Sequence, residues 1–296
     1  MSLTGKLMLG TVQFGLAYGV ANTGGQVSYE EVLRILKTAH AHGVRVLDTA
    51  ISYGNSELVL GKALDELGVK QEFSIITKIR HLPADLKEEE VESFVRASVQ
   101  ESKERLGVER LYGVLFHNES GARFLPQLAK LKAEGLVEHY GVSLDSLAAA
   151  DATYECDFLQ VPGNILDTRF DAVKTTAKIF MRSAFLQGLL LMEPEDIPAG
   201  LQPFMAQIQA FEPIRRRLGL SRFEFHLRYN LSRPRIDQVL FGVLNNAQLE
   251  ANIRAAEAGP LPPDIMAEIE AMRKPLPETI VRPSCWPREA QGPRRK

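Results

Sequence analysis

The chain has 296 residues, 45% hydrophobic and 24% charged, with a formal net charge of -2; it is long enough to bury a large core, and its charge balance gives no field to recruit nucleic acid or an anionic membrane. Two cysteines, Cys156 and Cys285, are too few for a disulfide framework and lie in no metal-type spacing. No apolar run reaches the roughly 20 residues of a membrane helix, and Met1–Gly10 lacks the charged and apolar regions of a signal peptide, so the cytoplasm is the expected setting.

In chain order, short apolar, β-branched runs alternate with amphipathic stretches. Lys6–Thr11 reads as the first strand, with a helix over Ser28–His42. Val44–Asp48 is followed by a helix over Ser56–Leu67, and Phe73–Lys78 by one over Glu88–Leu106. Leu111–His117 leads into Ala122–Glu134, and Glu138–Ser143 into Leu144–Thr153. Phe158–Val161 and Ala177–Ser183 are strands followed by less regular segments, and Gln238–Val243 precedes a last helix, Ala247–Ala258. Apolar strands alternating with helices predict parallel βαβ units buried on both faces.

Two arrangements satisfy that pattern, a closed (β/α)8 barrel and an open doubly wound sheet. Eight repeats over about 260 residues fit the closed barrel. The open sheet calls for a G-x-G-x-x-G turn after its first strand, and Gly10-Thr-Val-Gln-Phe-Gly15 has a different spacing. The expected fold is an α/β TIM barrel in one domain, residues 1–296. The barrel proper runs over about 6–258, and 259–296 form a proline-rich C-terminal helix and irregular tail ending in basic Pro293-Arg-Arg-Lys296. That tail either lies on the surface or folds over the barrel mouth, with Trp286 touching substrate.

In such a barrel the strand C-termini and the loops after them build the site. The strand ends carry Asp48, Lys78, His117, Ser143, Gln160 and Arg182-Ser183, and Tyr53 follows Asp48 by five residues. Each has an ordinary reading: a solvated lysine, a structural histidine, an aspartate capping a turn, a tyrosine packed under a loop. Together, an acid, a cation, an imidazole and a phenol meet where this fold does chemistry. They suit carbonyl reduction, in which negative charge grows on the carbonyl oxygen and needs a proton and donors. A phenol is a sluggish acid at neutral pH, and a neighbouring ammonium such as Lys78 favours its phenolate. Asp48 would hold Lys78, and His117 would orient the oxygen.

Those residues resemble the aldo-keto reductase superfamily, in a bacterial form. Gly43-Val-Arg-Val-Leu-Asp-Thr-Ala-Ile-Ser-Tyr-Gly-Asn-Ser-Glu57, with Gly61 beyond, is similar to the family's first signature. Ile75-Ile-Thr-Lys78 and Val114-Leu-Phe-His117 resemble the strands carrying its lysine and histidine. The implied catalytic tetrad is Asp48, Tyr53, Lys78 and His117, with the tyrosine as acid. The resemblance further implies an extended nicotinamide cofactor across the barrel mouth, without a glycine-rich fingerprint. Ser143 and Gln160 would hold the carboxamide, and the stretch Arg182, Ser183, Phe185, Leu186 and Gly188 would wrap the pyrophosphate. Gly242, Val243, Asn245, Gln248 and Asn252 would meet the adenosine end, with Thr11 as a further contact. NADPH/NADP is the expected cofactor, with NAD open, and a small carbonyl compound, possibly sugar-like, the expected substrate.

Three positions depart from the family pattern. Leu144 stands where many relatives carry asparagine, removing one carboxamide contact. Arg182 replaces an aromatic that stacks on the nicotinamide; its planar guanidinium can stack instead, or pair with a nearby acid. Gln248 stands where some relatives place an arginine against the 2′-phosphate. Elsewhere, Gln13, Phe14 and Tyr18 either line the pocket or plug the rim. His40 and His42 suit a helix C-terminus, and Asp85–Glu90 a helix N-terminus. Cys156 reads as packing and Arg215-Arg-Arg217 as a solvated helix face. The alternatives to a reductase are an NADPH-binding redox sensor with little turnover and a Schiff-base lysine at Lys78, the latter disfavoured by the nearby Asp48. Oligomeric state is left open by the sequence.

Overall fold

The computed structural model describes residues 2–19, 22, 24–150 and 154–286. Eight parallel strands close in chain order: β1 (Leu7–Gly10), β2 (Val46–Asp48), β3 (Ser74–Lys78), β4 (Leu111–Phe116), β5 (Val137–Ser143), β6 (Phe158–Pro162), β7 (Lys178–Arg182) and β8 (Gln238–Gly242). Closure sets Gly10 beside both Asp48 and Gly242. The helices on the outside are α1 (Tyr29–Ala41), α2 (Ser56–Leu67), α3 (Val91–Leu106), α4 (Leu125–Ala133), α5 (Arg222–Leu231), α6 (Asn246–Glu257) and α7 (Pro263–Met272). Among the described residues no helix is long and apolar enough to cross a membrane.

The strands are apolar on both faces because each face meets a different core. Alternate residues such as Leu9, Leu47, Ile75, Val114, Leu159 and Val239 pack outward against the helices. Between them, Met8, Ile76, Leu115, Phe158 and Phe180 fill the barrel, with Val46 and Leu240 against them. Side chains two apart on a strand share a face. Two positions after those inner residues stand Gly10, Asp48, Lys78, His117, Gln160, Arg182 and Gly242. The period of the strand therefore sets a polar ring directly above an apolar plug, at the C-terminal mouth.

The observed strands lie within a residue or two of the expected ones. The helix expected over Ala122–Glu134 begins as a 3-10 segment, Glu119–Phe124, and becomes α4 only at Leu125, with Pro126 in its first turn. Of the helix expected over Leu144–Thr153 a single turn, Leu147–Ala150, is formed, and 151–153 lie outside the described residues. The long β7–β8 connection folds as 3-10 turns and short helices before α5. Their apolar residues join a second core, in which Ile165, Leu186, Leu201, Phe211 and Tyr229 meet Ile269, Ile280 and Trp286 of the C-terminal segment. Trp286 is buried there, donating its indole N–H to the Ile280 carbonyl at 2.7 Å, so it is a packing residue. The basic stretch 293–296 lies outside the described residues.

Candidate active site

Asp48 and Lys78, on adjacent strands, form an ion pair sealed from solvent, both side chains being at most 2% exposed. Lys78 Nζ donates to both Asp48 carboxylate oxygens, at 2.7 and 2.6 Å, and to the Thr49 carbonyl at 2.8 Å. Gln160 Nε2 donates to Asp48 Oδ1 at 2.8 Å from the far side of the barrel. Burial works against the lysine's charge. Attraction and hydrogen bonding from Asp48 and Tyr53 outweigh it, and the ammonium stays above the ordinary lysine value. The aspartate is thus a ligand of the lysine, not a cap on the next helix.

Tyr53 reaches this pair from the loop after β2. Lys78 Nζ lies 4.9 Å from the centre of its ring. The His117 ring stands edge-on to Tyr53, with centroids 5.8 Å apart. Ser52 Oγ is 3.2 Å from His117 Nδ1, and His81 stacks on the same imidazole at 4.4 Å. The four expected catalytic residues are therefore gathered at one point. Two glycines hold the tyrosine loop against the loop after β1. A Cβ at Gly15 would stand 1.9 Å from the Tyr53 carbonyl oxygen, and one at Gly54, whose φ is +61°, would stand 2.5 Å from the Gly15 carbonyl oxygen. Phe14, next to Gly15, is fully buried in the outer core between strands and helices and so does not line a pocket.

Beneath the loop runs a buried hydroxyl network. Ser56 Oγ donates to the Thr11 carbonyl at 2.7 Å and receives Thr49 Oγ1 at 3.1 Å; Thr11 Oγ1 donates to the Asp48 carbonyl at 3.0 Å. Thr11, expected at the cofactor, is fully buried and ties β1 to β2 behind the site. Ser143 is buried at the end of β5, paired in register with Gln160.

The loop after β7 has an unusual backbone. Ser183, Leu186 and Gln187 take φ of 63°, 48° and 55°, and Gly188 takes 99°. Three non-glycine residues in the left-handed region within five positions are strained, and such strain gathers at ligand-binding loops. Leu186 is buried in the second core and Val243 in the outer one, so only their backbones are available to a ligand. Phe185 packs on Phe223. Arg182 pairs with Asp145 at 2.9 Å and donates to the Leu144 carbonyl at 2.9 Å. Asp145 also takes Arg282 from the C-terminal segment at 2.8 Å, and burial of this carboxyl is outweighed by the two guanidinium groups, which hold it below its ordinary value.

At β8, Asn245 caps α6 by accepting from Gln248 N at 2.9 Å, while Gln248 Oε1 accepts from Leu244 N at 2.8 Å. Gln248 is thus engaged in shaping the helix start. Asn252, 1% exposed, donates to the Gln248 carbonyl at 2.8 Å. Its Oδ1, the Asn246 Oδ1 and the Gln13 Oε1 are buried with no hydrogen-bond partner among the described residues. The Gln13 amide also lies against Gly242, where a Cβ would come within 2.7 Å of it. Unpaired acceptors beside a strained loop, around the ends of β1, β7 and β8, fit an extended dinucleotide whose amino and hydroxyl groups donate.

The other sequence-level candidates have structural roles. Cys156 donates its thiol to the Phe158 carbonyl, and burial pushes it up to about 12. His40 pairs with Glu72 at 2.7 Å, Arg215 with Glu212 at 2.8 Å, and Arg217 with Glu268. Ser52 and His81 do not stand out in the sequence: neither stands at a strand end, and only the side-by-side order of β2, β3 and β4 brings their loops to His117.

The Aldo/keto reductase family is matched over residues 6–274. The chain is 31% identical over 185 residues to the D-threo-aldose 1-dehydrogenase of a Pseudomonas species, covering 50% of this chain and 56% of that protein. It is 33% identical over 118 residues to the D-arabinose 1-dehydrogenase of Saccharomyces cerevisiae, covering 37% of this chain and 35% of that one. The chain thus spans about half or less of the length of these curated relatives. Among solved structures, the holo form of an aldo-keto reductase from Bacillus halodurans has a TM-score of 0.68 at 20% identity, covering 92% of this chain and 93% of that one. The glycerol dehydrogenase of Gluconobacter oxydans gives the same values. At that identity the likeness speaks for the fold alone. Because the family match runs through all eight strands and past α7, the chain belongs to the Aldo/keto reductase family.

Proposed function

We propose that this chain reduces a carbonyl compound with NADPH, or oxidises the corresponding alcohol in reverse, and that it works as one barrel unit. The observation that carries the reading is the sealed Asp48–Lys78 pair set against Tyr53, with His117 edge-on to the same ring. The chemistry a bound NADPH would supply is hydride transfer to the carbonyl carbon. Tyr53 gives the proton to the carbonyl oxygen, and Lys78, kept charged by Asp48, favours the phenolate left behind. His117, oriented by Ser52 and His81, sets the position of that oxygen. Ser143 and Gln160 would hold the carboxamide, the loop 182–188 the pyrophosphate, and 242–252 the adenosine end. Sugar dehydrogenases among the relatives support a sugar-like substrate. A Schiff-base role for Lys78 is disfavoured, since that chemistry needs a neutral amine and this one is held charged.

The test is Tyr53→Phe, assayed by loss of NADPH absorbance with nitrobenzaldehyde. The variant should bind NADPH as the parent does and turn over slower by about 100-fold or more, the usual contribution of a positioned proton donor. Near-parental turnover would place the acid elsewhere. Tight NADPH binding with no turnover in the parent would replace the reductase by a redox sensor.

A further inference from the structure

Behind the tyrosine loop lies a charged pair that the proposed chemistry does not use. Glu57, in the first turn of α2 and four residues after Tyr53, is fully buried. Thr77 Oγ1 donates to its Oε1 at 2.6 Å. Arg105, in the last turn of α3, brings Nε to 3.1 Å from its Oε2, an ion pair without hydrogen-bond alignment. The same guanidinium donates from Nη2 to the carbonyl of Gly54, the residue directly after Tyr53, and lies 3.6 Å from Glu101. Burial pushes the Glu57 carboxyl up, while Thr77, Ser102 and Arg105 draw it back.

A carboxylate this deep is unfavourable without a counter-charge, and Arg105 supplies it. The planar guanidinium then has its direction fixed, with one edge on a helix-borne carboxylate and the other on the loop carbonyl. The Gly54 backbone also packs against Gly15, whose carbonyl oxygen would stand 2.5 Å from a Cβ at position 54. Ser56 N donates to the Tyr53 carbonyl at 3.1 Å. The two peptide groups that follow the tyrosine are therefore held by three contacts.

We infer that Arg105, fixed by Glu57, is a positioning residue for the reaction: it pins the Gly54 carbonyl and so sets where the Tyr53 hydroxyl meets the substrate oxygen. The inference rests on Tyr53 being the proton donor, and its test separates the two. Arg105→Met should lower kcat by about 10- to 100-fold, the scale on which misplacing a catalytic group acts, with the NADPH Kd and the carbonyl KM within twofold of the parent. In a Tyr53→Phe background, whose turnover no longer depends on the hydroxyl, the same replacement should cost less than twofold more. Should Arg105→Met fail to fold, Arg105→Lys keeps the charge beside Glu57 but cannot span both partners, and is read in the same way. Parental kcat, a full further loss on top of Tyr53→Phe, or a matching loss of NADPH affinity would each overturn the positioning role. Parental turnover of Tyr53→Phe alone would instead remove the proton donor on which the role depends.

Discussion

Replacing Lys78 with methionine would strand the Asp48 carboxylate inside the barrel. In the parent that carboxylate receives the ammonium on both oxygens, at 2.7 and 2.6 Å, and one amide donor from Gln160 at 2.8 Å. After the replacement only the amide remains. Methionine is close to lysine's stem in shape, so the loss is mainly electrostatic. Breaking a buried pair by removing one partner costs about 3–5 kcal/mol, a large share of the roughly 5–15 kcal/mol that holds a domain folded. Urea unfolding at pH 7 followed by far-UV circular dichroism should show that loss. Adding Asp48→Asn removes the stranded charge and should restore about 2 kcal/mol or more, which makes the two positions strongly non-additive. A Lys78→Met stability within 1 kcal/mol of the parent, or a double variant no more stable than the single one, would refute the buried pair as the feature that organises the site.

Two further outcomes test the surroundings. Gly15→Ala forces a methyl against the Tyr53 carbonyl at 1.9 Å and the Ser56 amide at 2.5 Å, so the two loops must part. Turnover should fall at least about tenfold, with a stability loss of about 1–3 kcal/mol; parental kcat would show that the tyrosine does not depend on this interlock. His226, fully buried, is lowered by burial from 6.5 to about 4, so it folds neutral and must be protonated only in the unfolded chain between those values. Its contribution is complete above about pH 6.5 and is lost as pH falls toward 4, about 3 kcal/mol in all. His226→Gln should flatten that part of the urea-midpoint profile, and an unchanged slope would count against a neutral buried imidazole.

The mouth residues were legible because strand periodicity is a local property. Asp48, Lys78, Gln160 and Arg182 each stand two positions past an inward apolar residue, so pattern alone sends them to the same ring. The sequence could not choose between roles for Arg182, since stacking and ion pairing use the same flat group. The choice of Asp145 as its partner comes from the loop after β5, and Arg282 reaches the same carboxylate from far along the chain. Phe14 read equally as pocket lining or plug, because both place an aromatic at the rim; its full burial in the outer core excludes the pocket.

The order of apolar runs determined eight strands, most of their helices, and Asp48, Lys78 and His117 of the centre, because a parallel strand buried on both faces must be apolar nearly throughout and any polar residue at its end stands out. Contacts between loops were decided only by which strands lie side by side in the barrel. Ser52 on His117, Arg105 on the carbonyl after Tyr53, and Gly15 against the tyrosine loop join positions 38 to 65 residues apart. No local periodicity encodes such meetings, since each depends on where two separate strands deliver their loops in space.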